Sequence, residues 1–171
     1  MVSNAPLSRD LILLPGLLCD EELWRDQLVA LGEVIACRVP DLGRQSTIEE
    51  LAADVLAGAP SSFAPAGLSF GGYVAQEIVR QDPDRIERLA LIDTSIRADS
   101  VERKASRKAL LQAASFPGAF KGIADSLLPT FIHPDRLTDV DLIDRIRAMT
   151  MRLGQVLLAG TPTDAANEFL G

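Results

Sequence analysis

The chain has 171 residues, 47% hydrophobic and 24% charged, enough to bury one core and too few for two independent domains. Its formal charge of −7 argues against a nucleic-acid partner held through phosphates, and the composition excludes a disordered chain. Cys19 and Cys37 are too sparse for a disulfide scaffold, and Arg9 and Asp10 stand where a signal peptide needs its apolar core, so a cytoplasmic protein without stable membrane insertion is expected.

Leu11-Ile12-Leu13-Leu14, closed by Pro15-Gly16, predicts a strand buried on both faces and stopped by a turn. Asp20 can cap a helix whose apolar positions Trp24, Leu28 and Leu31 follow helical spacing, with Gly32 at its stop. Residues 34–39 are β-branched and apolar before Pro40-Asp41, which predicts a second strand. Thr47 and Glu50 form a capping box for a helix with an inward stripe of Ile48, Leu51, Val55 and Leu56, ended by Gly58 and Pro60. A third strand over 63–68 leads into a helix over 70–81, with Gly71, Val74, Ala75 and Ile78 inward and Asp82-Pro83 at its end. Leu89-Ala90-Leu91-Ile92 is the fourth strand. Strands alternating with helices specify an α/β fold, a parallel sheet of about four strands covered on both sides.

Beyond Thr94 the pattern becomes helical, over about 101–115, 119–128 and 139–153. Thr138 and Asp141 cap the last stretch, and Leu142, Ile146, Met149 and Leu153 share one face, which needs a surface to cover. The basic cluster Arg97, Arg103, Lys104, Arg107 and Lys108 reads as a solvated helix face, with an anion or lipid contact as the alternative. The expected organisation is a core over 1–95, a helical cap over 96–155 and an irregular tail over 156–171; a loosely packed C-terminal appendage is the plainer alternative to a cap.

Gly67-Leu68-Ser69-Phe70-Gly71 matches G-x-S-x-G between a predicted strand and a predicted helix, the context in which that pattern is a nucleophile elbow. A serine at a strained turn tolerates little bulk on its flanks, which Gly67 and Gly71 satisfy, while Gly72 lets the helix approach the sheet. The pentapeptide also fits a tight strand-to-helix connection without chemistry. Against that, the loop Pro15-Gly16-Leu17-Leu18 falls at the C-terminal edge of a neighbouring parallel strand, where open α/β sheets bind ligands. The N–H groups of Leu17 and Phe70 are the pair expected to hold an oxyanion.

Residues 11–95 resemble the α/β-hydrolase family, in particular small esterase-like members with a helical cap. The resemblance rests on Leu13-Leu14-Pro15-Gly16-Leu17-Leu18 with Trp24 and Gln27, on Ala66-Gly67-Leu68-Ser69-Phe70-Gly71-Gly72-Tyr73 with Glu77, and on Arg88-Leu89-Ala90-Leu91-Ile92-Asp93-Thr94-Ser95. It implies a serine hydrolase acting on a carboxylic ester, thioester or similar small acyl compound, without a cofactor. In the family two further strands follow the cap, and their loops supply the acid and the histidine. Neither is visible, and the residues after Leu158 are turn-like, so a shortened chain that is weakly active or inactive alone is expected. The fourth strand would then lie at an uncovered edge, giving homodimers or aggregates.

His133 is the one histidine, beside Pro134 in the predicted cap; it is a base for Ser69, a ligand contact or, more plainly, a loop or capping residue. Asp93, ending the fourth strand, is either an orienting acid or a group that satisfies local N–H groups with Thr94 and Ser95. One histidine and two distant cysteines offer no zinc set, and no dinucleotide or phosphate-loop motif occurs. Two other functions remain open, a non-catalytic binding protein that keeps the pocket and a truncated gene product.

Overall fold

The computed structural model describes residues 10–43, 45, 47–97 and 128–158. Its centre is a sheet of four parallel strands, β1 (Asp10–Leu14), β2 (Ala36–Arg38), β3 (Ala64–Leu68) and β4 (Ala90–Ile92), in the order β2-β1-β3-β4. The helices α1 (Arg25–Leu31), α2 (Ile48–Gly58) and α3 (Phe70–Gln81) connect them, and α4 (Leu128–Phe131) and α5 (Val140–Leu158) follow. Side-chain alternation along β1 explains why its sequence is apolar throughout. Ile12 and Leu14 join Leu51, Val55, Val74 and Ile78 of α2 and α3, whereas Leu13 joins Trp24 and Ala66 on the opposite face.

Two of the three expected caps form, whereas α5 is capped not by Thr138 and Asp141 but by Asp139, which directly precedes the helix and whose Oδ1 accepts from Leu142 N–H at 3.0 Å. Thr47 Oγ1 accepts from Glu50 N–H at 3.1 Å, and Asp20 Oδ1 accepts from Glu22 N–H at 3.0 Å. Arg85 closes the other end of α2 by donating to the carbonyls of Leu56, Ala59 and Pro60, while its guanidinium lies 5.6 Å from the Phe63 ring centre. A buried aromatic therefore carries the cation that finishes a neighbouring helix.

Several boundaries differ from the sequence expectation. The chain after Asp20 first forms a 3₁₀ turn, Glu21–Trp24, and only then α1; Leu31 at its end is exposed rather than inward. β2 starts at Ala36 because Val34 and Ile35 N–H both donate to Leu31 C=O, at 2.8 and 2.9 Å, so the helix end continues past Gly32. Phe63 precedes β3 and instead bridges to Ile86. The last helix covers the expected stripe, with Met149 buried and Leu142, Ile146 and Leu153 half-buried. The predicted helix over 101–115, nearly all of 119–128, most of the basic cluster and most of the tail fall outside the described residues.

Cover on both faces holds for β1 and β3 but not for β4. Leu91 and Ile92 are 37% and 40% exposed although they point to opposite faces, and among the described residues β4 pairs with β3 alone. Among the described residues no helix is long and apolar enough to cross a membrane. Such a strand is a template for pairing, so we expect concentration-dependent self-association by light scattering, weakened in Leu91→Lys. A wild-type mass that stays at one monomer up to millimolar concentration is the contrary result.

Candidate active site

Among the described residues three non-glycines have positive φ, namely Leu18 at 60°, Ser69 at 50° and Asp93 at 45°. Each lies just past the C-terminal end of a strand, β1, β3 and β4 respectively. Such backbone costs roughly 1–3 kcal/mol per residue and persists only where its surroundings over-determine it.

Ser69 shows how. Its N–H donates to Ile92 C=O at 2.9 Å, and its C=O accepts from Gly72 N–H at 3.0 Å and from Thr94 Oγ1 at 2.8 Å. Both its backbone polar groups are thus satisfied, by three bonds of which two come from the β4 end. Serine is among the preferred residues at a helix N-cap, yet with φ 50° and ψ −111° its side chain makes no capping bond. The residue is exposed and, among the described residues, the hydroxyl has no partner.

The glycines around it are sterically required. A Cβ on Gly67 would collide with the Gly71 carbonyl, and one on Gly71 with Leu14 and Pro15 carbonyls, the latter at 2.6 Å. At Gly72 the neighbour is not sheet backbone but the Thr94 side chain, whose Cγ2 and Oγ1 would lie 2.5 Å from an added Cβ.

The β1 loop reaches the same edge. Cys19 N–H donates to Gly16 C=O at 3.1 Å, closing a turn in which Leu18 holds the left-handed position that glycine usually fills. A Cβ on Gly16 would sit 3.7 Å from Leu68 C=O, so this loop packs on the end of β3, and among the described residues Leu17 N–H has no acceptor. Leu17 and Phe70 line one cleft of about 760 Å³, with Leu18, Val39, Leu42 and Leu153 supplying much of its apolar wall. Ser69 lies outside that lining, immediately before Phe70.

Helix α5 is tied down beside the cleft by ion pairs. Arg145 Nε meets Glu22 at 2.7 Å and Arg152 meets Asp20 at 2.5 Å, both reaching the 3₁₀ segment that follows the Leu17 loop. Pairs this exposed contribute only about 0–1 kcal/mol each; their effect is to set where α5 sits. Burial, then the Asp20 charge, pushes the Cys19 thiol up to about 11.

Of the sequence-predicted site residues, Ser69, Phe70 and Leu17 gather at the β1 and β3 ends, and Asp93 lies at the β4 end beside them. His133 does not line the cleft. Its side chain is 72% exposed, and Nδ1 accepts from Asp135 N–H at 3.3 Å as the cap of the 3₁₀ turn Pro134–Arg136. The Asp93 carboxylate takes no local N–H among the described residues; Thr94 and Ser95 do the local bonding instead. Sequence reasoning missed two residues of consequence, Thr94 in its contact with Ser69 and Gln76, which donates to the carbonyls of Gly72 and Ser95 at 3.0 and 3.1 Å. The pair Gly71-Gly72 was the available signal, since two bare positions imply two close neighbours.

A parallel sheet with a strained serine at a strand-to-helix turn defines an α/β-hydrolase architecture. No family model and no curated protein sequence matches the chain. Solved structures do. A thermophilic esterase from Thermogutta terrifontis superposes with a TM-score of 0.78 at 26% identity, over 98% of this chain and 65% of the esterase. An enol-lactonase from Burkholderia xenovorans LB400 gives 0.66 at 24% identity, over 96% of this chain and 70% of that one. MenH from S. aureus gives 0.62 at 19% identity, over 98% and 67%. The chain has the α/β-hydrolase fold, and it spans about 65% of the length of the Thermogutta esterase.

Two outcomes follow. Gly71→Ala should destabilise by roughly 1–3 kcal/mol in urea unfolding through overpacking against Leu14 and Pro15, although alanine is the better helix former; unchanged or raised stability is the opposing result. Because the Cys19 pKa is raised in the fold, the thiol contributes stability that is intact below its unfolded value of 9.0 and lost as pH rises towards about 11. Its alkylation rate, followed by peptide mass spectrometry, should therefore keep rising from pH 9 to 11, and a plateau near 9 would contradict the burial argument.

Proposed function

We propose that this chain is a serine hydrolase that cleaves carboxylic esters, thioesters or similar compounds with a small or medium acyl group. Ser69 Oγ attacks the carbonyl carbon, the alcohol or thiol leaves, and water then releases the acid from the acyl-serine. The N–H groups of Phe70 and Leu17 hold the oxyanion. The observation that carries this is Ser69 itself, held at φ 50° with a hydroxyl that does not cap its helix. The likeness to an esterase and an enol-lactonase supports the same chemistry.

A serine hydroxyl is a poor nucleophile until a neighbour within ~3 Å accepts its proton. His133, engaged at Nδ1 by Asp135 N–H and facing solvent, is a cap rather than that base. Asp93, without a histidine to orient, is not an acid of a relay. The chain alone is then a weak enzyme, because an oxyanion hole and binding retain only ~10³- to 10⁴-fold over water when the triad is incomplete. The same exposure of His133 favours a second function, binding of an acyl compound in the cleft without turnover.

The test is slow hydrolysis of 4-nitrophenyl acetate together with labelling by a fluorophosphonate. Both should be lost in Ser69→Ala and almost unchanged in His133→Ala, with circular dichroism showing the variants folded. Robust turnover abolished by His133→Ala would make His133 the base. No labelling of a folded wild type would leave the binding function.

A further inference from the structure

The carbonyl and the amide of one peptide unit lie in a plane and point in opposite directions. Whatever holds Ser69 C=O therefore also aims Phe70 N–H. Two groups hold it. Gly72 N–H comes from the first turn of the same helix, while Thr94 Oγ1, at 2.8 Å, comes across from β4. The carbonyl can only accept, so the threonine hydroxyl is the donor.

The surroundings hold Thr94 in that position. Ile92 C=O takes the Ser69 N–H, and the positive φ of Asp93 turns the chain directly afterwards, so that Thr94 reaches the Ser69 carbonyl. Gly72 leaves bare the volume that the threonine side chain occupies. Gln76 Nε2 bridges Gly72 C=O and Ser95 C=O, fixing the residue after Thr94 to the same helical turn.

We propose that Thr94 is a positioning residue, whose hydroxyl fixes the Ser69–Phe70 peptide plane and so aims Phe70 N–H at the oxyanion. The inference rests on Ser69 as nucleophile and Phe70 as donor. A hydrogen bond accepted at the carbonyl also polarises the amide and makes its N–H a stronger donor. Removing a whole oxyanion donor costs ~10²- to 10³-fold in rate, so losing its aim while Gly72 still holds the carbonyl should cost about tenfold.

Thr94→Val removes the donor at nearly constant shape, and Thr94→Ser keeps it. Phosphonylation of Ser69 by a fluorophosphonate should slow about tenfold in Thr94→Val and recover most of the way in Thr94→Ser, with KM for 4-nitrophenyl acetate unchanged. In NMR spectra the Phe70 amide should shift and exchange faster in Thr94→Val, while the amides of Val74 and Ile78 in the same helix hold. A purely structural threonine would instead lower the melting temperature and loosen these amides together, or affect the serine and valine variants equally; either result overturns the proposal, as does an unmoved Phe70 amide. Should Thr94→Val fail to fold, Thr94→Cys, a weaker donor, carries the same comparison. A folded wild type that is not labelled at Ser69 would sink the nucleophile assignment instead, and the Phe70 amide would still decide whether Thr94 holds the peptide.

Discussion

The backbone of Ser69 is the constraint on which the rest of this site depends. A serine in this conformation costs free energy that must be recovered by bonds made only there. The N–H bond to Ile92 and the carbonyl bonds from Gly72 and Thr94 do so, and they join β3, β4 and α3 at one point. Releasing the serine into an ordinary helical N-cap would gain a capping bond but break the link to the β4 end. The fold therefore holds its most reactive candidate group in place through main-chain contacts that no side-chain substitution at position 69 would remove.

The glycines follow from this constraint. With Ser69 turned so sharply, α3 starts against the ends of β1 and β4, and Gly67, Gly71 and Gly72 each face atoms at a distance that no Cβ tolerates. The β1 loop adds a second strained turn at Leu18, which brings Leu17 to the same cleft as Phe70. Strain at β1, β3 and β4 thus lies along one edge of the sheet. This matches the general placement of ligand sites outside the carboxyl ends of parallel strands.

Around this edge the structure is unevenly finished. One side of the cleft is closed by α5, held by Arg145 and Arg152 on the acidic turn after β1. On the other, β4 presents apolar residues to solvent on both faces. The solved relatives are longer than this chain, the Thermogutta esterase by about a third of its own length.

The sequence by itself determined the element order, the parallel sheet, the caps at Asp20 and Thr47 and the location of the elbow, because each depends on local periodicity or on residues a few positions apart. It also marked Gly67, Gly71 and Gly72 as places of close approach. It did not determine what approaches them. Thr94 over Ser69, Arg85 on the end of α2, and Arg145 on Glu22 are separated by 25, 29 and 123 positions, and only the tertiary fold brings such pairs together. The position of His133 is the same kind of fact. Its residue type suits a base and its capping bond to Asp135 N–H is local, but only the tertiary structure leaves its side chain exposed and outside the cleft lining, and a proton moves between groups by distance and not by residue type.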